Sequence, residues 1–143
     1  MKVTYTIAFV LSTLFSAMVF GQNSPVTGIQ FSNDEINIST DFMDCVSTKN
    51  GTAKQYLNIT IENKKPYAVA VSFRKNLWYN GTCINCETQS DENLVELRLE
   101  GGQSISSNCE ADKQLKIFFK MLELKNVRQL SHFELRNVQV KKL

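Results

Sequence analysis

Apolar residues occupy every second position through much of this chain, and that period of two is what most restricts its fold. The alternation runs through 57–61, 69–73, 95–99 and 115–121. Side chains of a β-strand point alternately to its two faces, so each run predicts a strand with one buried and one solvated face. A helix needs apolar residues at spacings of three and four, which these runs lack. The chain is therefore expected to be built from strands.

The breaks between the runs predict how neighbouring strands are joined. The run 57–61 is followed by Lys64-Lys65-Pro66 and then by 69–73, and we expect these two runs to form a hairpin. Gly101-Gly102 supplies residues that accept a positive φ, which predicts a second hairpin joining 95–99 to a return strand at 104–107. Both hairpins would keep their strands in one sheet.

The remaining strands are read from shorter or interrupted patterns. Near the C-terminus the alternation changes parity between Leu135 and Val138, as a β-bulge would cause, and residues 126–131 are expected to form a helical turn before this strand. The stretches 29–31 and 42–46 are shorter strand candidates. The predicted fold class is all-β: an immunoglobulin-like antiparallel β-sandwich of about 7–8 strands. The mature chain resembles secreted sandwiches of that type in strand count and patterning only, since the cysteine, tryptophan, cysteine order of antibody domains is missing.

Residues 1–21 have the layout of an export signal. One positive charge, Lys2, precedes the uncharged run 3–20, and Val19 and Gly21 place compact residues three and one positions before Gln22. We expect cleavage before Gln22, a single domain over residues 22–143, and a secreted or periplasmic location. The alternative is an uncut signal anchor, because a run of this length can span a bilayer.

The four cysteines, Cys45, Cys83, Cys86 and Cys109, are the most informative residues of the domain. An even number of cysteines in an exported chain usually means disulfides. Following the direction of each predicted strand places all four at one end of the sandwich. Three pairings remain open, and we favour Cys83 with Cys86 and Cys45 with Cys109.

Two chemical roles for these cysteines compete with disulfides. A thioredoxin-type C-x-x-C begins a helix in a βαβ unit, whereas residues 82–87 form a loop in an all-β chain. Four thiolates at one end can also bind zinc, but one C-x-x-C with two scattered cysteines is a weaker pattern than paired C-x-x-C sequences. No metal site and no cofactor is predicted.

Catalytic and nucleic-acid-binding side chains are scarce. His132 is the only histidine and lies where the last strand begins, so it is read as a turn or surface residue. Sixteen basic and fourteen acidic residues give a formal charge of +2, far from the basic excess of a nucleic-acid-binding protein. The chain is predicted to be no enzyme, to bind no nucleic acid, and to keep no membrane span after signal cleavage.

The predicted binding site is the loop end that carries the C-x-x-C. Its residues are Trp78, Tyr79, Thr82, Ile84 and Asn85. Aromatic side chains supply a large contact area, and a cross-linked loop loses little entropy on binding. The alternative is that Trp78 and Ile84 pack inward, and the site would not exist if both Ile84 and Tyr79 were buried.

The function predicted from these features is that of an exported, non-enzymatic binding or envelope accessory module, with an unknown protein or glycan as partner. The alternatives are a ligand carrier with an apolar cavity between its sheets, and a small thiol-redox or hydrolytic enzyme. Four N-x-S/T sequons, at Asn37, Asn50, Asn58 and Asn80, would carry glycan only in a eukaryotic host, where Asn50 and Asn80 in predicted turns are the expected acceptors.

Overall fold

The structure is a computed structural model that describes residues 26–111, 113–125 and 127–143. The predicted signal peptide and its cleavage site before Gln22 lie outside these residues. The described residues contain nine strands and one short 3-10 turn at Asp91–Asn93. The strands are β1 (Gly28–Ser32), β2 (Ile36–Ser47), β3 (Thr52–Asn63), β4 (Val69–Tyr79), β5 (Thr82–Cys83), β6 (Leu94–Leu99), β7 (Ser104–Ile105), β8 (Lys116–Met121) and β9 (Leu130–Lys142).

The strands form two antiparallel sheets. In the first sheet the order is β1-β2-β3, and the free side of β3 pairs with β7 near one end and with β8 near the other. In the second sheet β4 is central, with β9 along one side and both β6 and β5 along the other. The all-β sandwich predicted from the sequence is confirmed.

The alternating pattern builds the core because both sheets turn their apolar faces inward. Ile59 and Ile61 on β3 are fully buried, as are Val69 and Val95 from the second sheet. Among the described residues, sixteen buried apolar or aromatic side chains form one contiguous cluster between the sheets. Burial of this kind stabilises a fold by about 25 cal/mol for each Å² of apolar surface removed from water. The space between the sheets is therefore a packed core.

The predicted hairpin between 57–61 and 69–73 is wrong, because β3 and β4 lie in different sheets. Each run has its own apolar face, and placing them in opposite sheets lets the two faces cover one another. The chain crosses at Asn63, whose side chain is 1% exposed. The Asn63 amide donates to Tyr67 O at 2.8 Å and Glu100 O at 2.9 Å, so it satisfies carbonyl groups inside the crossing.

The second predicted hairpin is also wrong. Gly102 has a φ of +70° and the chain does turn there, but β6 pairs with β4 while β7 pairs with β3. This turn therefore also crosses between the sheets. The two crossings pack on one another, since Gly102 N donates to Lys65 O at 2.9 Å and a Cβ at Gly101 would collide with the backbone of Pro66. Glycine at 101 permits a backbone contact rather than a hairpin.

The last strand, β9, contains the predicted bulge but begins earlier than the sequence predicts. The register of β9 against β4 shifts between Arg136 and Gln139, and Asn137 between them has a φ of +54°, which confirms the bulge. The helical turn predicted for 126–131 is wrong over the described part, because β9 begins at Leu130 and no helix covers 127–129. Pairing with Tyr79 on β4 extends the strand to this point.

Candidate functional site

The structure contains the disulfide pairing that the sequence favours. Cys45 is bonded to Cys109 and Cys83 to Cys86, with Cα atoms 5.5 and 5.8 Å apart. No cysteine of the described chain is free. The bonds make up two separate features: one ties a long loop to β2, and the other closes a short loop beside β4.

Both disulfides lie toward the same end of the sandwich, as predicted from strand direction. Cys45 pairs in register with Lys54, near the beginning of β3. Two residues along β3, Tyr56 pairs with Phe118, whose carbonyl accepts a hydrogen bond from the Tyr79 hydroxyl at 2.6 Å. Tyr79 ends β4, directly before the loop that contains Cys83. These contacts link the two cross-linked regions through the core.

Two buried lysines hold the loop that contains Cys109. Lys116, 8% exposed, donates to Asn108 O at 3.2 Å, to Cys109 O at 3.0 Å and to Ala111 O. Lys75, 4% exposed, points inward from β4 and donates to the carbonyl oxygens of residues 113 and 114 at 3.1 and 2.7 Å. Burying an ammonium group is costly unless its protons are hydrogen-bonded, and these carbonyl groups supply the partners. The loop is thus fixed by charge-assisted bonds as well as by its disulfide.

The Cys83–Cys86 loop begins with a tight turn. Tyr79 and Thr82 pair across the two residues Asn80 and Gly81, both of which have positive φ values of 48° and 81°. Two residues with positive φ in a two-residue hairpin define a type I′ turn, for which Asn-Gly is the preferred sequence. The turn sends the chain back along the edge of β4 and positions the disulfide loop there.

Asn85 is a structural residue rather than a surface one. Its side chain is 6% exposed; Oδ1 accepts from Leu77 N at 2.8 Å and Nδ2 donates to Lys75 O at 2.7 Å. Backbone Ile84 N also donates to Leu77 O at 2.9 Å. The stretch of β4 at Lys75 and Leu77 lies between the part that pairs with β6 and the part that pairs with β5. Here the Asn85 amide takes the place of a peptide group in the hydrogen-bond ladder.

Tyr79 is likewise part of the interior, 8% exposed. The Tyr79 ring stacks on the Phe118 ring with centroids 6.4 Å apart. The guanidinium group of Arg128 lies 4.2 Å from the centroid of the Tyr79 ring. Burial raises the pKa of the Tyr79 hydroxyl; Arg128 opposes this effect and Tyr56 adds to it. Tyr79 and Asn85 thus contribute no surface to the predicted face, and they build the scaffold beneath it.

The other three predicted residues reach the surface in two directions. Trp78 is half-buried on the outer face of the second sheet, in register with His132 on one side and Cys83 on the other, with the Trp78 and His132 rings 4.9 Å apart. Thr82 pairs with Tyr79, whose side chain points inward, so the Thr82 side chain lies on the opposite face of the sheet from Trp78. Ile84 is 48% exposed. We call the surface made by Trp78, Thr82 and Ile84 the loop-edge surface.

Sequence reasoning missed a cleft on the outer face of the first sheet. Its volume is about 460 Å³, and it lies between the β2–β3 turn and the loop held by Cys109. The register of β2 and β3 places Ser47 opposite Thr52 and Cys45 opposite Lys54, so these side chains share one face. The side chains of Lys49, Lys54, Ser47, Thr52, Tyr56 and Glu110 line the cleft. Predicting the pairing of β2 with β3 from the sequence would have indicated this cleft.

Three further observations complete the description of the chemistry. His132 Nε2 lies 3.4 Å from Glu134 Oε1, and the His132 ring lies 4.9 Å from the Trp78 ring. Within the described ranges, no three histidine, cysteine, aspartate or glutamate side chains come together as metal ligands would. In the same part of the chain, no helix has the length and apolar character needed to cross a membrane.

Comparisons with known proteins yield one structural neighbour. No family model matches the chain, and no curated protein matches it either. Among solved structures, the chain is similar to the crystal structure of a DUF1425 family member from Shewanella sp. pv-4 at 1.81 Å resolution. The two are 15% identical with a TM-score of 0.42, and the match covers 83% of this chain and 93% of the other.

Proposed function

We propose that this chain is an exported, non-catalytic β-sandwich that binds a protein partner through its loop-edge surface. The observation that carries the proposal is the combination of exposure and rigidity at Ile84. This apolar side chain is 48% exposed although the loop around it is closed by Cys83–Cys86 and fixed to β4 by the Asn85 amide. An apolar contact that is already ordered costs little entropy when a partner binds.

The cysteines and the N-terminal sequence support the proposed compartment. Both disulfides are compatible with folding in an oxidising environment, and the layout of residues 1–21 is that of an export signal. Export also accounts for an accessory role outside the cytoplasm. The carrier alternative has less support, since sixteen side chains pack the space between the sheets.

A protein partner is favoured over a glycan by the chemistry of the loop-edge surface. Ile84 offers an exposed branched apolar side chain, and Thr82 offers an exposed hydroxyl group in the same loop region. Trp78, the aromatic residue on which a sugar ring would stack, is half-buried and has His132 against its ring. Apolar and aromatic anchors at the centre of a patch are typical of protein interfaces.

Site-specific photo-crosslinking tests the proposal. A benzophenone amino acid is placed at Ile84 and, as the matched control, at Ile29 of β1, which is 70% exposed and equally apolar. Each protein is produced with its signal in the source cells and irradiated. We expect a covalent adduct of one discrete mass from position 84 only, abolished by an excess of wild-type protein. Equal adducts from both positions, or none from position 84, would refute the proposal.

A further inference from the structure

The chain contains two Asn-Gly dipeptides, and the structure treats them differently. Asn50-Gly51 lies in the β2–β3 turn, and Asn80-Gly81 lies in the β4–β5 turn. Asn-Gly is the sequence in which an asparagine side chain is most easily attacked by the following backbone nitrogen, because glycine has no Cβ to obstruct the approach. Sequence alone therefore assigns both sites the same reactivity.

Hydrogen bonds immobilise both reacting groups at Asn80-Gly81. Gly81 N, the attacking atom, donates to Ser131 Oγ at 2.9 Å. Asn80 Oδ1 accepts from Gln129 N at 3.2 Å, and Asn80 N donates to Gln129 O at 3.0 Å. The side-chain amide is thus held by Gln129, directly before β9, and the nitrogen by the Ser131 hydroxyl group. Attack would require the bond from Gly81 N to Ser131 Oγ to break.

Asn50-Gly51 has no such restraints. Within the described part of the chain, neither the Asn50 side chain nor Gly51 N has a hydrogen-bond partner. Asn50 and Asn80 are both exposed, and the space where a Cβ would stand is open for 4 Å at Gly51 and Gly81 alike, so the hydrogen bonds are what distinguishes the two turns. Exposed turns of this kind are the segments that move most freely.

The charges around this turn favour the reaction further. Lys49 and Lys54 line the same cleft as Asn50, together with Glu110, so the charge of the lining is positive on balance, and neither lysine forms an ion pair within the described residues. Attack requires the peptide nitrogen to lose its proton, and it passes through an oxyanion on the Asn50 side chain. Nearby positive charge stabilises both anionic species.

We propose that Asn50 is a site of spontaneous deamidation in the folded protein and that Asn80 is protected. Water or hydroxide removes the proton from Gly51 N, which attacks Asn50 Cγ. The new N–Cγ bond closes a succinimide ring, the Cγ–Nδ2 bond breaks, and ammonia leaves. Water then opens the ring at either carbonyl group to give aspartate or isoaspartate. No oxidant or reductant takes part.

The product changes the cleft chemically and leaves the core untouched. One neutral amide becomes a carboxylate in the cleft that Lys49 and Lys54 line, and the isoaspartate form adds a methylene group to the main chain of the turn. The turn lies outside the buried cluster, so the melting temperature of the modified protein should match that of the unmodified one. The modification does not depend on the proposed partner.

Peptide mass spectrometry after incubation at mildly alkaline pH tests this inference. Wild-type protein purified without glycan is incubated in two states, folded and unfolded in urea. At each site the rate of deamidation is measured from the mass increase that replacement of NH2 by OH causes. We expect severalfold faster conversion at Asn50 than at Asn80 in the folded protein, and similar rates in urea. Isoaspartate at position 50 should accept a methyl group from an isoaspartyl methyltransferase.

One variant tests whether the hydrogen bond to the attacking nitrogen is the cause of protection. Ser131→Ala frees Gly81 N and should raise the rate at Asn80 while leaving the rate at Asn50 unchanged. Asn50→Gln, which would have to close a larger ring, should abolish conversion at position 50. Equal rates at the two sites in the folded wild-type protein, or faster conversion at Asn80, would overturn the inference.

Discussion

Removing the Cys45–Cys109 disulfide should destabilise this protein much more than removing Cys83–Cys86. The perturbation is a pair of double variants, Cys45→Ser/Cys109→Ser and Cys83→Ser/Cys86→Ser, so that no free thiol remains in either protein. The first bond joins residues 64 apart in sequence and the second joins residues 3 apart. The two bonds therefore restrict the unfolded chain to very different extents.

The chain-entropy relation gives the size of the difference. Loop-closure entropy grows with the logarithm of loop length, so the long loop corresponds to about 4 kcal/mol of stabilisation at 25 °C and the short one to about 2 kcal/mol. At roughly 4 °C for each kcal/mol in a domain of this size, the melting temperature should fall by about 16 °C and about 8 °C respectively. Lys116 and Lys75 still hold the Cys109 loop in the folded variant.

Urea unfolding followed by circular dichroism measures these losses as free energies. Without the long cross-link the unfolded state expands, so the dependence of the free energy of unfolding on urea concentration should also steepen for the Cys45/Cys109 variant. Wild-type protein with both bonds intact is the reference. Equal losses in the two variants, or a larger loss for the Cys83/Cys86 variant, would show that loop-closure entropy does not govern their contribution.

Two further predictions concern the residues that support the loop-edge surface. Asn85→Ala leaves two backbone groups of β4, Leu77 N and Lys75 O, without the Asn85 partner and should lower the free energy of unfolding by about 2–4 kcal/mol, measured by urea titration. Asn50→Ala, in an exposed turn, should change it by less than about 0.5 kcal/mol, and equal losses in the two variants would contradict the role of Asn85 in the ladder. Tyr79→Phe should cost about 1 kcal/mol at pH 7 through loss of the hydroxyl bond. Because burial raises the pKa of Tyr79, the unfolded state ionises first as pH rises above the ordinary tyrosine value, and the wild type loses stability there that the variant keeps. The stability gap between the two should therefore narrow at high pH, and a gap that stays constant would argue against the raised pKa.

Much of the local structure can be predicted from the sequence because strand formation and disulfide chemistry leave local signals. The period of two marks a strand wherever one face is buried, and the change of parity between Leu135 and Val138 marks the bulge that interrupts β9. Of the three pairings that the sequence leaves open, the structure contains the favoured one, Cys83 with Cys86 and Cys45 with Cys109.

The tertiary structure alone decides which sheet each strand joins. An alternating strand buries its apolar face equally well in either sheet, so the pattern of 57–61 and 69–73 fits a hairpin and a crossing alike. The choice depends on contacts between residues distant in sequence, such as the Asn63 amide with Glu100 and the backbone contact of Gly101 with Pro66. The two partners of such a contact lie too far apart in the chain for a local sequence pattern to include both.

The same reason explains the errors in the predicted site. A polar residue in a loop is expected to be solvated, yet Asn85 is buried. Its side-chain amide forms hydrogen bonds with two backbone groups at the edge of β4 that no neighbouring strand pairs with. The contrast between Asn50-Gly51 and Asn80-Gly81 is likewise invisible in their identical sequences. It arises because β9 returns beside one turn and supplies hydrogen bonds, while the other turn has no such neighbour.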